Sequence, residues 1–268
     1  MKVQNKTIIV TGAGSGIGRE LSLLLINKNA NVIGIDLNQS SLLETQKIAA
    51  VDSLRFLPLA LDISDKQKSE LLPAEILKNF NSIDGLINNA GIIQKCTPVV
   101  DLSYEDIYKV MNINFYGTVF LTKIFLPYLL ERPEAHIVNI SSMGGFLPVP
   151  GQTIYGASKA AVKLFTEGLR AELMGTHVKV TVIFPGAVAT NISANSGLSI
   201  PSNSTAQNPE FKALSAREAA RQIIDAMEKN KYRATVGNDA RMMDWIYRLH
   251  PKYAAELIQR KMASLMKK

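Results

Sequence analysis

The chain has 268 residues, 47% of them hydrophobic and 20% charged, which is enough to fill one α/β core and excludes wholesale disorder. Its single cysteine, Cys96, excludes an internal disulfide and a Cys-rich zinc site, and His136, His177 and His250 are too scattered to suggest a metal centre, so no metal is expected. The net charge of +7 belongs to the C-terminal region, where Lys212 to Lys268 holds 13 Lys/Arg and 6 Asp/Glu; the preceding residues are balanced.

Met1 to Val10 contains only the short apolar run Ile8 to Val10, too short for a signal-peptide core. No stretch reaches the roughly 18 consecutive apolar residues of a spanning helix. A cytoplasmic location is expected. Thr7 to Thr11 reads as a first strand running into glycines, and Gly16 to about Lys28 as a helix with Ile17, Leu21, Leu24 and Leu25 on one face. Further strands are predicted at Asn31 to Asp36, Leu54 to Leu61, Gly85 to Asn88, His136 to Ser141 and Val178 to Phe184, with a last one at Arg233 to Val236. Ser103 to Glu131 and Thr153 to Met174 read as long helices. Ser215 and Glu218 have capping-box spacing for a helix to about Lys229. Strands alternating with helices predict a doubly wound, Rossmann-like parallel sheet covered on both faces, in a single domain with a C-terminal helical extension.

Thr11-Gly12-Ala13-Gly14-Ser15-Gly16-Ile17-Gly18 joins the first strand to the first helix. Glycines there permit a tight turn and let backbone N–H groups approach a pyrophosphate, while the helix N-terminus favours negative charge. Asp36, at the end of the second strand, can accept hydrogen bonds from an adenosine ribose. Tyr155 and Lys159 stand four apart, on one face of a predicted helix, where an ammonium lowers the pKa of a nearby phenol and makes it a usable acid and base. Ser142 follows the fifth strand at the carboxyl edge of the sheet, where ligands bind. Asn114 is polar within an apolar helix, which fits either a helix-bending hydrogen bond or a site role.

Taken together, these pieces resemble the short-chain dehydrogenase/reductase family. The Thr11 to Gly18 loop, Asn88-Asn89-Ala90-Gly91, Asn114, Ser142, Tyr155-Gly156-Ala157-Ser158-Lys159 and Pro185 to Thr190 follow the family's order and spacing from residue 7 to about 190. The resemblance implies that Tyr155 is the general acid/base, that Ser142 binds the substrate oxygen, that Lys159 holds the nicotinamide ribose, and that Asn114 maintains a water relay to Lys159. It also implies a cofactor site of Gly12, Ser15, Gly16, Ile17, Gly18, Asp36, Asp62, Ile63, Asn89, Ala90, Gly91, Tyr155, Lys159, Pro185, Val188 and Thr190. Asp62 and Ile63 would flank the adenine, Asn89 the ribose, and Val188 and Thr190 the carboxamide.

The expected activity is hydride transfer between NAD(H) and a secondary alcohol or ketone. NAD is favoured over NADP because Asp36 would repel a 2′-phosphate, and Ser15, Leu37 and Asn38 occupy the positions where a cation would stand. Alternatives are an NADPH-dependent 3-oxoacyl-thioester or carbonyl reductase, and a dinucleotide-binding docking module acting through the basic C-terminus. Residues 1–237 are expected to form the catalytic domain, with a substrate lid near 191–210, and residues 238–268 a basic amphipathic extension. Phe146, Leu147, Val149 and Ile192 hint at an apolar substrate. Apolar residues on several faces of the two long helices, among them Val119, Phe120, Phe125, Val162, Leu164 and Phe165, point to a homodimer or homotetramer. Nucleic acid is not an expected partner. In the extension, Trp245, Ile246 and Leu249 are expected to cluster, and Leu257, Ile258, Met262, Leu265 and Met266 to form a stripe that packs on the body or a neighbouring subunit. The alternative for that stripe, amid Lys252, Arg260, Lys261, Lys267 and Lys268, is attachment to an anionic membrane.

Overall fold

The computed structural model describes residues 1–196 and 213–266. The chain runs β1 (Thr7–Thr11), α1 (Gly16–Asn27), β2 (Asn31–Asp36), α2 (Gln39–Ala49), β3 (Phe56–Ala60), the short α3 (Lys66–Ser69) and α4 (Leu72–Ile76), then β4 (Gly85–Asn88). It continues through α5 (Tyr104–Met111), α6 (Gly117–Leu130), β5 (Ala135–Ile140), α7 (Thr153–Glu172) and β6 (Val178–Pro185). Last come β7 (Val188–Ala189), α8 (Ile192–Asn195), β8 (Leu214–Ser215), α9 (Ala216–Glu228), β9 (Arg233–Val236), α10 (Asn238–Leu249) and α11 (Pro251–Met266).

Seven strands form one parallel sheet in the order β3-β2-β1-β4-β5-β6-β9, and β7 pairs with β8 in a separate two-stranded ladder. The order reverses between β1 and β4, which opens a crevice at the carboxyl edge. Alternate residues of each strand point to opposite faces. Ile8 and Val10 therefore join Leu21, Leu25, Ile223 and Met227 under α1 and α9, whereas Ile9 joins Leu121, Phe125, Leu129 and Leu169 under α6 and α7. At about 25 cal/mol per Å² of apolar surface removed from water, these two layers are the main source of stability.

Several predicted elements change in detail. The expected long helix is continuous from Tyr104 to Leu130, but Asn112–Tyr116 forms a π-helical turn within it. Its 27 residues include a window of mean hydropathy 1.3, so among the described residues this one helix is long and apolar enough to cross a membrane, contrary to the sequence reading. Leu121, Phe125 and Leu129 are nevertheless fully buried against the sheet. The third strand is shorter than predicted, and α2 was not anticipated; Asn38 caps it by accepting from the Ser41 N–H at 3.1 Å. Only half of the capping box at α9 forms: the Ser215 hydroxyl accepts from the Glu218 N–H at 3.2 Å, while the Glu218 carboxylate turns to Arg221 and Gln222.

The C-terminal helices pack on the body. Met243, Ala254 and Ile258 form a third apolar cluster with Leu147, joined by Ile246, Leu257 and Met262. The expected stripe thus packs on its own chain, though the side chains of Leu265 and Met266 lie outside the described residues. Trp245 and Leu249 do not cluster with Ile246; both are exposed, because they lie on the opposite face of α10. In the first turn of α10, Asp239 accepts the Ala187 N–H at 2.7 Å, tying this helix to the loop after β6. Two glycines make room for that carboxylate, since a Cβ at Gly186 or Gly237 would collide with its oxygens.

His136 is fully buried in β5, with Nε2 at 2.9 Å from the Thr181 hydroxyl. Burial above all, assisted by nearby cations including Arg170 and Lys179, pushes its pKa down to about 3. Between that value and the ordinary 6.5 the unfolded chain binds the extra proton, so stability falls as pH drops through this window. Replacement by a residue that cannot titrate, His136→Gln, is expected to remove about 3 kcal/mol of the stability change between pH 6.5 and 4. Urea unfolding of both proteins at a series of pH values measures it, and parallel pH profiles would contradict it.

Candidate active site

A cleft of about 320 Å³ runs along the carboxyl edge of the sheet across the switch point. At one end Gly12, Ser15, Gly16 and Ile17 line it. Gly12 has φ of +69°, and a Cβ there would stand 2.9 Å from the Asn89 amide nitrogen. A Cβ at Gly18 would collide with the Gly12 carbonyl, so that glycine shapes the turn from behind and does not line the cleft. Ser15 caps α1 by position but makes no side-chain capping bond, so it leaves first-turn N–H groups of α1 open to an anion.

The loop after β4 is bolted to this turn. The Thr11 hydroxyl accepts the N–H groups of both Asn89 and Ala90 at 2.9 Å, and the Asn89 amide donates back to the Thr11 carbonyl at 2.9 Å. Asp36 faces the cleft, each carboxylate oxygen accepting one backbone N–H, from Gly14 at 2.9 Å and from Asn38 at 3.0 Å. Arg19, the nearest cation in sequence to the loop, does not line the cleft; it donates to the Gly14 carbonyl and pairs with Glu44 at 2.5 Å. Asp62, Ile63, Asn89, Ala90 and Gly91 line the middle, and Pro185, Val188 and Thr190 the far wall.

At the other end Ser142, Tyr155 and Lys159 come together. The Ser142 hydroxyl accepts from the Gly144 N–H at 3.0 Å, which leaves its own proton available for donation. Burial pushes the Tyr155 phenol up, with the Ser142 hydroxyl beside it pulling the other way. Lys159, almost wholly buried, donates to the Ile140 carbonyl at 3.0 Å, and burial pushes its pKa down to about 8. The direction is opposite to the sequence expectation of a lowered phenol pKa, because burial outweighs the pull of the Ser142 hydroxyl. A Cβ at Gly91 would lie 3.1 Å from both Lys159 Nζ and Asn114 Oδ1, a tight approach that would press these groups aside by a few tenths of an ångström.

Asn114 sits in the π-helical turn, fully buried and off the cleft lining. Its amide accepts from the Ile92 N–H at 2.8 Å and donates to the Ile92 carbonyl and the Ser158 hydroxyl at 3.0 Å. The side chain therefore ties the loop after Gly91 to the helix that carries Tyr155. The start of the expected lid crosses the cleft mouth, where Asn195 donates to the Ser15 hydroxyl at 2.8 Å and the Ser196 hydroxyl accepts the Ile93 N–H at 3.0 Å. Residues 197–210 of that lid lie outside the described residues. Phe146, Leu147 and Val149 do not line the cleft; they pack toward the C-terminal helices, and only Ile192 of the four expected apolar residues reaches it.

Sequence reasoning missed the apolar lining of Leu61, Ile92, Ile93 and Ile140, which carries no motif. It also missed Gln94. This buried side chain accepts the Tyr155 N–H at 2.9 Å and donates to the Gly151 carbonyl at 3.1 Å. Gln152 is in the capping position of α7 but makes no capping bond, so a residue from another loop satisfies that orphan donor instead.

The family model for short chain dehydrogenases matches residues 6–199. A Mycobacterium tuberculosis protein named as an oxidoreductase, SadH, is 34% identical over 253 residues, covering 92% of this chain and 91% of its own. The chain belongs to the short-chain dehydrogenase family. Among solved members, one from Burkholderia cenocepacia in complex with NADP superposes with a TM-score of 0.80 at 26% identity, covering 96% of this chain and 99% of its own. Another, from Burkholderia phymatum in complex with NAD, gives 0.81 at 23% identity over 93% and 96%, a likeness of fold. The protein is thus an oxidoreductase of a family whose solved members include complexes with NAD and with NADP.

Gln94→Leu would leave the Tyr155 N–H without its partner, while the Gly151 carbonyl would keep only the Thr97 N–H. An unpaired donor of this kind costs about 1–3 kcal/mol, so the urea midpoint should fall while the unfolding slope stays constant. An unchanged midpoint would show that the bonds to Gln94 contribute nothing.

Proposed function

We propose that this short-chain dehydrogenase interconverts secondary alcohols and ketones on a small apolar substrate, with NAD(H) favoured over NADP(H). The observation that carries the reading is the single cleft that has a glycine-rich helix N-terminus and Asp36 at one end and Ser142, Tyr155 and Lys159 at the other. Its residues fit a dinucleotide: α1 has an uncapped N-terminus for the pyrophosphate, and the Asp36 carboxylate is a fixed acceptor for a ribose diol. When bound, the nicotinamide supplies or accepts the hydride.

The chain's own residues manage the proton. Tyr155, held protonated by burial, donates its phenolic proton to the ketone oxygen in reduction; in oxidation it is the phenolate form that takes the proton from the alcohol. Ser142 donates a hydrogen bond to the same oxygen as charge develops on it. Lys159, when protonated, stabilises the phenolate left behind. Asn114 acts as a positioning residue, holding Ile92 and Ser158 around this end. Ile92, Ile93 and Ile192 supply apolar walls that suit a substrate of low polarity. The NAD preference is supported by Asp36 facing the cleft while Arg19 is spent on Glu44 and Gly14. Pairing of two chains through α5 and α7 fits the exposed Tyr104, Tyr108 and Leu164 on those helices.

Three measurements test the reading on a panel of secondary alcohols and ketones. Tyr155→Phe is expected to keep cofactor binding but lose at least about 10²-fold in kcat, and near-normal turnover would assign the proton to another group. In the wild type, oxidation should accelerate as pH rises, because the raised phenol pKa makes phenolate scarce at neutrality. The kcat/KM with NAD should exceed that with NADP, and Asp36→Ala should narrow the gap by removing the carboxylate that repels a 2′-phosphate. A preference for NADP in the wild type would overturn the cofactor assignment.

A further inference from the structure

The outward face of α10 is apolar and cationic and carries no acid. At the 3.6-residue period, Arg241, Met242, Trp245, Arg248 and Leu249 share about a third of the helix circumference. All five side chains are exposed, with Met242 at 48%, Trp245 at 68% and Leu249 at 54% of full accessibility. Both acids of the helix turn away from this face: Asp239 accepts the Ala187 N–H, and Asp244 pairs with Arg233 at 2.6 Å. Beyond His250, Lys252 and Tyr253 add a further exposed cation and aromatic ring.

We propose that this face docks the protein on an anionic lipid bilayer, with Met242, Trp245 and Leu249 entering the headgroup boundary and Arg241 and Arg248 meeting lipid phosphates. The alternative occupant, a second copy, fits poorly. A two-fold pairing would bring the arginines of both copies into one interface with no acid on the face to offset them. An anionic bilayer answers both features of the face at once: the apolar side chains leave water, and the cations gain counter-charges. Tryptophan and tyrosine are also the side chains that favour the membrane–water boundary. This docking surface differs from the stripe singled out in the sequence, which α11 spends on packing against Leu147.

Trp245 is the chain's single tryptophan, so its fluorescence reports this face alone. The full-length protein is titrated with vesicles of phosphatidylcholine and with vesicles in which a third of the lipid is phosphatidylglycerol. The expected result is a blue shift with the anionic vesicles only, quenched by brominated acyl chains and reversed by high salt. Flotation should show the same selectivity. The double reversal R241E/R248E should weaken binding about tenfold or more, and M242S/L249S should abolish the blue shift. The control K78E, an exposed lysine on the far side of the sequence, should change little. Circular dichroism and thermal melts establish that each variant is folded. Absence of a shift, equal binding to both vesicle types, or binding insensitive to the α10 variants would overturn the proposal. So would a Trp245 emission already blue-shifted without lipid in a protein of dimeric mass that R241E/R248E converts to monomer, because a second copy would then cover the face.

Discussion

The Thr11 hydroxyl accepts two backbone N–H groups from the start of the loop after β4, and the Asn89 amide returns a bond to the Thr11 carbonyl. This clamp sits where the strand order reverses, and it fixes the two halves of the cleft relative to each other. The tight contacts of Gly12 with Asn89 and of Gly18 with Gly12 leave the turn little freedom to drift. The following residues inherit that registration: Gly91 comes close to Lys159 and Asn114, and Ile92 meets the Asn114 amide.

A second constraint runs through the interior. Asn88 donates to Thr122 at 3.1 Å and to Asn139 at 2.8 Å, and Asn139 donates in turn to Thr166 at 2.9 Å. This buried polar chain links β4 and β5 to α6 and α7. Apolar packing alone tolerates sliding between a helix and a sheet, whereas a buried hydrogen bond loses its full value when misaligned. The network thereby sets the height of α7 on the sheet, and with it the positions of Tyr155 and Lys159.

The parallel sheet and most of its strands were legible because each combines a short apolar run with local turn residues. The glycine loop and the Tyr155–Lys159 pair were legible because their spacing is local. Gln94 was not, since its partner Tyr155 lies 61 positions away and nothing in a single sequence joins them. Asn114 was noticed as a polar residue in an apolar helix, but only the π-helical turn explains how its amide reaches Ile92 and Ser158. Helix α2 escaped because its buried side is narrow, with Leu42 and Thr45 as its buried residues. Trp245 misled because an aromatic residue amid apolar neighbours suggests a core, and only the packing of Met243 and Ile246 reveals which side of α10 faces inward.

Through the contact of Asp239 with Ala187, the C-terminal helices brace from behind the cleft wall that carries Val188 and Thr190, which follow Ala187 within three residues. Such helices are natural candidates for exchange between relatives when substrate range is to be altered. In this chain the exchange has a compatibility rule: an incoming segment must bring a carboxylate in the first turn and meet a loop that keeps glycine at 186. A chimera that ignores either half would disturb the cofactor wall along with the substrate end, and its altered selectivity would be misattributed to the grafted residues.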